Sequence, residues 1–238
     1  MQLVQTASSA LRNHLDTCGT HAPEFDHGLS DHLPMQLHAM HALGANGQRL
    51  AGFARLYAQR LEPRQRVETS AASWLALRGR IEAFDTLEGL FSSGIAQKGR
   101  DAVLRELLPA LMPGAAGGAF HGLIRCGHAV AANHDGELAM GLAYWAAGWL
   151  PLLPYAESGK LPAPAYSLAA WAAHAHDLTT TADTEPPRIV LRMKAWATAR
   201  QFPALAPALQ ADEATLGQIA RLAAMLYAQT GNFTNNFD

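Results

Sequence analysis

From Ala119 to Leu150 the chain reads AFHGLIRCGHAVAANHDGELAMGLAYWAAGWL. One valine and one isoleucine stand among alanines, leucines, glycines and aromatic residues, so the apolar content comes from good helix formers rather than from the β-branched residues that favour strands. The stretch predicts two helices, about Ala119 to Ala132 and Gly136 to Leu150, parted by Asn133-His134-Asp135. The same bias runs through the whole chain, with 47 Ala and 33 Leu against 5 Val and 5 Ile in 238 residues. The expected fold is all-α, a single helical bundle-like domain over residues 1–238 with about ten helices. No run alternates apolar and polar residues long enough to make a strand worth pairing. Rossmann, P-loop, TIM-barrel and α/β-hydrolase sites all need strands to hold their loops, so those enzyme classes are set aside.

Working outward, apolar spacing predicts a helix from Gln2 to Leu15 stopped at Gly19, an irregular His-rich segment from Thr20 to Asp31, and a helix opening on Leu33-Pro34 and closing before Gly44. Another runs from about Gln48 to Leu61 and ends at Pro63. Weaker candidates follow at Ser73 to Leu77, Ile81 to Gln97 and Arg100 to Leu111, then Ala165 to His176, Arg188 to Ala199 and Asp212 to Gln229. The proline-bearing stretch Pro151 to Pro164 is the plausible hinge. No repeat of 20 to 50 residues marks a solenoid.

Composition bounds function as well. Two cysteines, Cys18 and Cys126, exclude a disulfide framework and any four-cysteine metal cage. A net charge of -2 gives no electrostatic reason to expect nucleic acid or an anionic membrane surface. Leu138 to Ala156 carries no charged residue, but Pro151 and Pro154 interrupt it and Ala and Gly gain little from lipid, so it reads as a buried helix. Met1 to Ala10 has neither the basic start nor the apolar block of a signal peptide, and a cytoplasmic protein is expected.

Histidine is the one chemical excess, 11 residues against three lysines. Seven fall in two blocks: His27, His32, His38 and His41, then His121, His128 and His134. His38 and His41 are three apart and share a helix face. His121 and His128 are seven apart, with Arg125 between them on one stripe, leaving Phe120, Ile124 and Ala131 as the apolar stripe expected to face the core. Glu24-Phe25-Asp26-His27 is one Glu-x-x-His where a di-iron bundle needs two, and no His-Glu-x-x-His zinc motif occurs. A three-His metal site drawn from the two blocks is possible by spacing, although no metal is predicted. The loop Gly114-Ala115-Ala116-Gly117-Gly118 lacks the preceding strand of a dinucleotide fingerprint and reads as a connector rather than a phosphate cradle.

The run Asp31-His32-Leu33-Pro34-Met35-Gln36-Leu37-His38-Ala39-Met40-His41-Ala42-Leu43-Gly44-Ala45, with Arg49-Leu50, Phe53 and Tyr57, resembles the opening of the questin oxidase-like family. Phe120-His121-Gly122-Leu123-Ile124-Arg125-Cys126-Gly127, followed by Glu137 and Ala143-Tyr144-Trp145-Ala146, resembles its second motif. The resemblance covers about Glu24 to Phe233. It implies an oxidoreductase that opens an anthraquinone ring by a Baeyer–Villiger-type oxygen insertion, a monooxygenase reaction, with NADPH as reductant and no flavin motif. Family members commonly carry an aromatic or apolar residue where His128 stands. The tail Tyr227 to Thr234 resembles the lead-in to a further His-containing motif, so the chain reads as a short variant, a fragment, or one half of a site completed by a second copy.

Oxygen insertion beside an aryl ketone without flavin needs a substrate electron-rich enough to reduce dioxygen itself. The protein must then deprotonate a phenol and hold the anion away from water. Imidazoles suit the first task and a guanidinium the second. The expected catalytic set is His32, His41 and His121 with Arg125 as anion clamp, His32, His121 and Arg125 being carried over by motif. Met35, His38, His128, Tyr144 and Trp145 are expected to bind a small hydrophobic aromatic substrate. A helical module that only sequesters such a ligand, with histidines that do not converge, and a His-ligated metal protein are the alternatives.

Overall fold

The computed structural model describes residues 8–70, 73–152, 165–179, 189–198, 202–205 and 208–230. Their secondary structure is almost wholly helical, so the chain is all-α as its composition implies. It divides into two compact units, Met1–Leu150 and Pro151–Asp238, the division falling where the proline-bearing stretch begins. Positions 153–164 of that stretch lie outside the described residues.

In the first unit, α1 (Ser9–Cys18) starts on Ser8, whose hydroxyl accepts Leu11 N–H at 3.3 Å, and stops at Gly19. The expected start at Gln2 lies outside the described residues. The segment read as irregular holds a small antiparallel hairpin, β1 (Glu24–Phe25) paired with β2 (Leu29–Ser30). Its turn uses positive φ at Asp26, His27 and Gly28, a local backbone choice that leaves no period-2 signal in two-residue strands. Then come α2 (Leu33–Ala42), α3 (Gly47–Tyr57), α4 (Phe84–Lys98), α5 (Arg100–Leu111), α6 (His121–Ala131) and α7 (Asp135–Ala147). Gly99, at φ +80, makes the break between α4 and α5, which no side chain bearing a Cβ does cheaply.

Two apolar clusters build this unit. One gathers α4, α5, α6 and α7 around Leu87, Phe91, Leu107, Leu138 and Leu142; the other gathers α1, α2, α3 and the hairpin around Leu11, Leu37 and Leu50. Every residue of α7 from Glu137 to Ala147 is buried, which accounts for the uncharged run in the sequence. No helix among the described residues is long and apolar enough to cross a membrane.

The apolar stripe of α6 is a correction to the sequence reading. Phe120 and Ile124 are 40% and 42% exposed, and the helix turns Gly122, Arg125, Cys126 and Ala129 inward instead. Glycine decides this. A Cβ at Gly122 would sit 2.5 Å from Trp145 Cα, and one at Gly141 would sit 2.9 Å from Cys126 N, so α6 and α7 meet backbone to backbone only along that face. The Gly114–Gly118 connector is likewise filled from the other side. A Cβ at Gly114 would overlap the Trp149 indole, and one at Gly117 the Gly148 carbonyl.

The second unit holds α8 (Leu168–Thr179), α9 (Ile189–Thr198), α10 (Phe202–Leu205) and α11 (Thr215–Thr230). Trp171 Nε1–H donates to Leu205 O at 3.0 Å, Tyr166 bridges to Leu209, and Met193 and Leu205 are buried. Of the expected C-terminal lead-in, positions 231–234 lie outside the described residues.

Candidate functional site

The N-terminus of α2 and that of α6 come together in the first unit. His32 precedes α2, and Asp31 Oδ1 caps that helix by accepting Leu33 N–H at 2.8 Å. His121 opens α6 behind three consecutive residues of positive φ: Gly118 at +54°, Ala119 at +50° and Phe120 at +69°. Two non-glycine residues held there store backbone strain, which persists because the surrounding packing over-determines the turn. The imidazoles of His32 and His121 meet edge to face, centroids 4.5 Å apart and planes at 86°, with Nε2 2.7 Å from Nε2.

Hydrogen-bond accounting fixes the state of this pair. His32 Nδ1 lies 2.7 Å from Ser30 O, and His121 Nδ1 bonds to Gly118 O. A carbonyl only accepts, so both Nδ1 atoms carry hydrogen, and each neutral ring would then present a bare Nε2 lone pair to the other. At 2.7 Å two lone pairs repel, so the contact calls for a proton, or another electrophile, between the two Nε2 atoms. Burial and the neighbouring His32 push the His121 pKa below its ordinary value, against the opposing pull of the Gly118 carbonyl.

A second imidazole pair lies further along the same two helices. His38 Nδ1 is 2.8 Å from His128 Nδ1, with planes at 81°. Here one Nδ1–H tautomer facing one bare Nδ1 satisfies the contact without any charge. Burial depresses both pKa values, and His38 is pushed further by His128 and His41, so this pair is held neutral. It lines a closely packed crevice with Leu15, Pro34, Met35, Arg125 and Glu137, which as it stands has no room for a water molecule.

The other expected site residues fall as follows. Arg125 is 2% exposed, and its Nε and Nη2 donate to Glu137 Oε2 and Oε1 at 2.8 and 3.1 Å. Burial opposes its charge, but the Glu137 carboxylate more than offsets this and raises its pKa. Two of its donor groups are thus committed inside the protein, to a partner the sequence reading had given no role. Glu137 follows Asp135 in the first turn of α7 and is the last charged residue before its long uncharged run, and that was the available signal. His41, in the last turn of α2, belongs to neither pair. Trp145 is 1% exposed and packs within the α6–α7 contact. Tyr144 is also buried, its hydroxyl donating to Glu24 Oε1 at 2.9 Å and taking a 2.7 Å bond from Ser30. Glu24 and Ser30 were likewise missed, since a two-residue strand gives no pattern. Among the described residues no group of three or more His, Cys, Asp or Glu side chains stands in a metal-binding arrangement.

These motifs sit where a family comparison places the chain. Residues 29–233 match the model of the questin oxidase-like family, most of the sequence, and the chain belongs to that family. No curated protein matches it.

Proposed function

We propose that the chain is an oxidoreductase of the questin oxidase type that inserts oxygen into, and so opens, a hydroxylated polycyclic aromatic ketone of the anthraquinone class, with His32 and His121 as its acid/base pair. The observation that carries this reading is the convergence of the two motif histidines, Nε2 to Nε2 at 2.7 Å, each ring locked by a backbone carbonyl. A phenolic hydroxyl entering between the rings gives its proton to the neutral imidazole. The imidazolium so formed then donates N–H to the phenolate oxygen, and its charge meets the new anion. Such a phenolate is electron-rich enough to attack dioxygen; one oxygen atom enters the ring and the other leaves as water, with two electrons and two protons drawn from an external reductant. The neighbouring crevice of Met35, His38 and His128 would have to open to admit one ring of the substrate.

NADPH is implied by the family resemblance, but the described residues do not fit it. The glycine connector is filled by Trp149 and Gly148, and the buried guanidinium in the crevice is paired with Glu137. A cytoplasmic setting accords with Cys18 and Cys126, both buried and free.

The test is to incubate the full chain with a hydroxyanthraquinone, NADPH and air. Oxygen uptake that disappears with His121→Ala supports catalysis. Tight binding without uptake makes the protein a carrier, and uptake unchanged by His121→Ala removes the pair from the reaction.

The same geometry favours a second reading. Each ring bonds a carbonyl through Nδ1 and turns its Nε2 toward the other ring, the orientation that metal-ligating histidines share. A divalent transition metal would then replace the bridging proton once the rings part, with His32 and His121 as ligands. Metal analysis of the purified chain beside His32→Ala and His121→Ala decides between the two: metal present in the parent and lost in both variants supports the ion.

A further inference from the structure

The two carbonyls that lock the histidine pair belong to separate segments, yet the residues that carry them both lie beside one side chain, Tyr144. Ser30 O receives His32 Nδ1–H, and the Ser30 hydroxyl donates to Tyr144 Oη at 2.7 Å. Gly118 O receives His121 Nδ1–H, and Gly118 lies so close to Tyr144 that a Cβ built on it would stand 2.8 Å from Oη and 3.1 Å from Cζ. Tyr144 itself cannot shift easily. It is 3% exposed, on a helix buried along its length, and its hydroxyl proton is directed to Glu24 Oε1 at 2.9 Å. Burial and the Glu24 carboxylate raise its pKa, so the phenol stays protonated and that donor is permanent.

We infer that Tyr144 is the positioning residue of the His32–His121 pair: its hydroxyl holds Ser30 by a side-chain hydrogen bond and fills the space beside the strained turn at Gly118, and so sets the separation and direction of the two Nε2 atoms. The inference deepens the proposed function and rests on the pair being its reacting centre. The arrangement has a physical logic. The rings come from two helix starts with no covalent connection for 89 residues, and a gap of 2.7 Å tolerates little drift in either. A single buried side chain beside both anchoring residues removes one source of relative motion, as outer-shell partners do for metal-ligating imidazoles. It also gives a reason for the positive φ at Gly118. The conformation brings its backbone against Oη, where any Cβ would collide.

The experiment is deuterium exchange at the Cε1–H of each histidine ring, read by mass spectrometry on the full chain, for the parent, Tyr144→Phe and Ser30→Ala. Tyr144→Phe keeps the ring and its burial and removes only the hydroxyl. The expected result is a change of at least several-fold in exchange at both His32 and His121. Ser30→Ala should move His32 alone, and Ser30→Thr, which keeps a hydroxyl, should restore it. His134, held by Asp16 Oδ1 and the N-terminus of α7, is the internal control and should not change. Where substrate turnover is measured, kcat should fall about tenfold with KM within a factor of two, since the hydroxyl does not contact substrate. Exchange unchanged at His32 and His121 in a folded Tyr144→Phe chain overturns the inference, as does an equal change at His134. Should Tyr144→Phe not fold, the Ser30→Ala response at His32 decides alone. Failure of the parent chain to consume oxygen would sink the proposed function and leave the exchange result standing, so the two ideas fail separately.

Discussion

Replacing Arg125 by Met tests what its guanidinium is for. Both members of the Arg125–Glu137 pair are buried, 2% exposed each, and joined by two hydrogen bonds of 2.8 and 3.1 Å. Removing the guanidinium strands the Glu137 carboxylate in the core, with Asp31, itself 3% exposed and having one carboxylate oxygen without a partner, losing the same nearby cation. Breaking a buried pair from one side costs about 3–5 kcal/mol. For a structure of this size each kcal/mol moves the melting point by about 2–4 °C, so a drop of about 10 °C is expected. The double variant Arg125→Met with Glu137→Leu removes both charges and should recover to within about 1 kcal/mol of the parent, because a well-packed apolar substitute often equals a buried ion pair. Urea unfolding followed by circular dichroism, analysed as a double-mutant cycle, gives both numbers. A single variant within about 1 kcal/mol of the parent, or a double variant no better than the single, refutes the argument that the pair is a structural pin. Activity then separates the roles: a stable double variant that consumes oxygen shows the guanidinium is not an anion clamp, whereas a stable but inactive one shows that it is.

Further outcomes follow from the same geometry. Gly122→Ala pushes a methyl into the Trp145 backbone and should destabilise by about 1–3 kcal/mol despite the helix propensity of alanine, while Gly127→Ala on the open face of α6 should stabilise by up to about 1 kcal/mol; a thermal melt of the pair reads both signs. Ala119→Gly relieves a positive φ of 50° and should raise stability by up to about 1 kcal/mol in the same assay. The His38–His128 pair predicts the direction of acid sensitivity. Both folded pKa values lie below the ordinary 6.5, so the unfolded chain binds protons first as the pH falls; the stability these rings contribute is complete above 6.5 and lost on acidification toward and through their folded values. His128→Gln should therefore flatten the fall in stability between about pH 7 and pH 5, and a slope identical to the parent's would contradict it.

The amino-acid sequence determined the helical class outright, because alanine and leucine in such excess over valine and isoleucine leave no strand material. It also placed most helix bounds to within a few residues, since Gly19, Gly44 and Pro63 act on the backbone of their own neighbourhood. His32 and His121 were legible as a set through their motifs, and His121, Arg125 and His128 as one stripe through the 3.6-residue period. What opposes that stripe was not legible. A helical period names which side chains share a face and says nothing of the element that covers it, so the pairing of His38 with His128, the claim of Glu137 on Arg125, and the carbonyls of Ser30 and Gly118 behind the imidazoles all belong to the tertiary structure. The inward face of α6 was decided the same way. Hydrophobicity favoured Phe120 and Ile124, but two helices approach most closely where neither has a Cβ, and Gly122 and Gly141 could be matched only once α6 and α7 lay side by side.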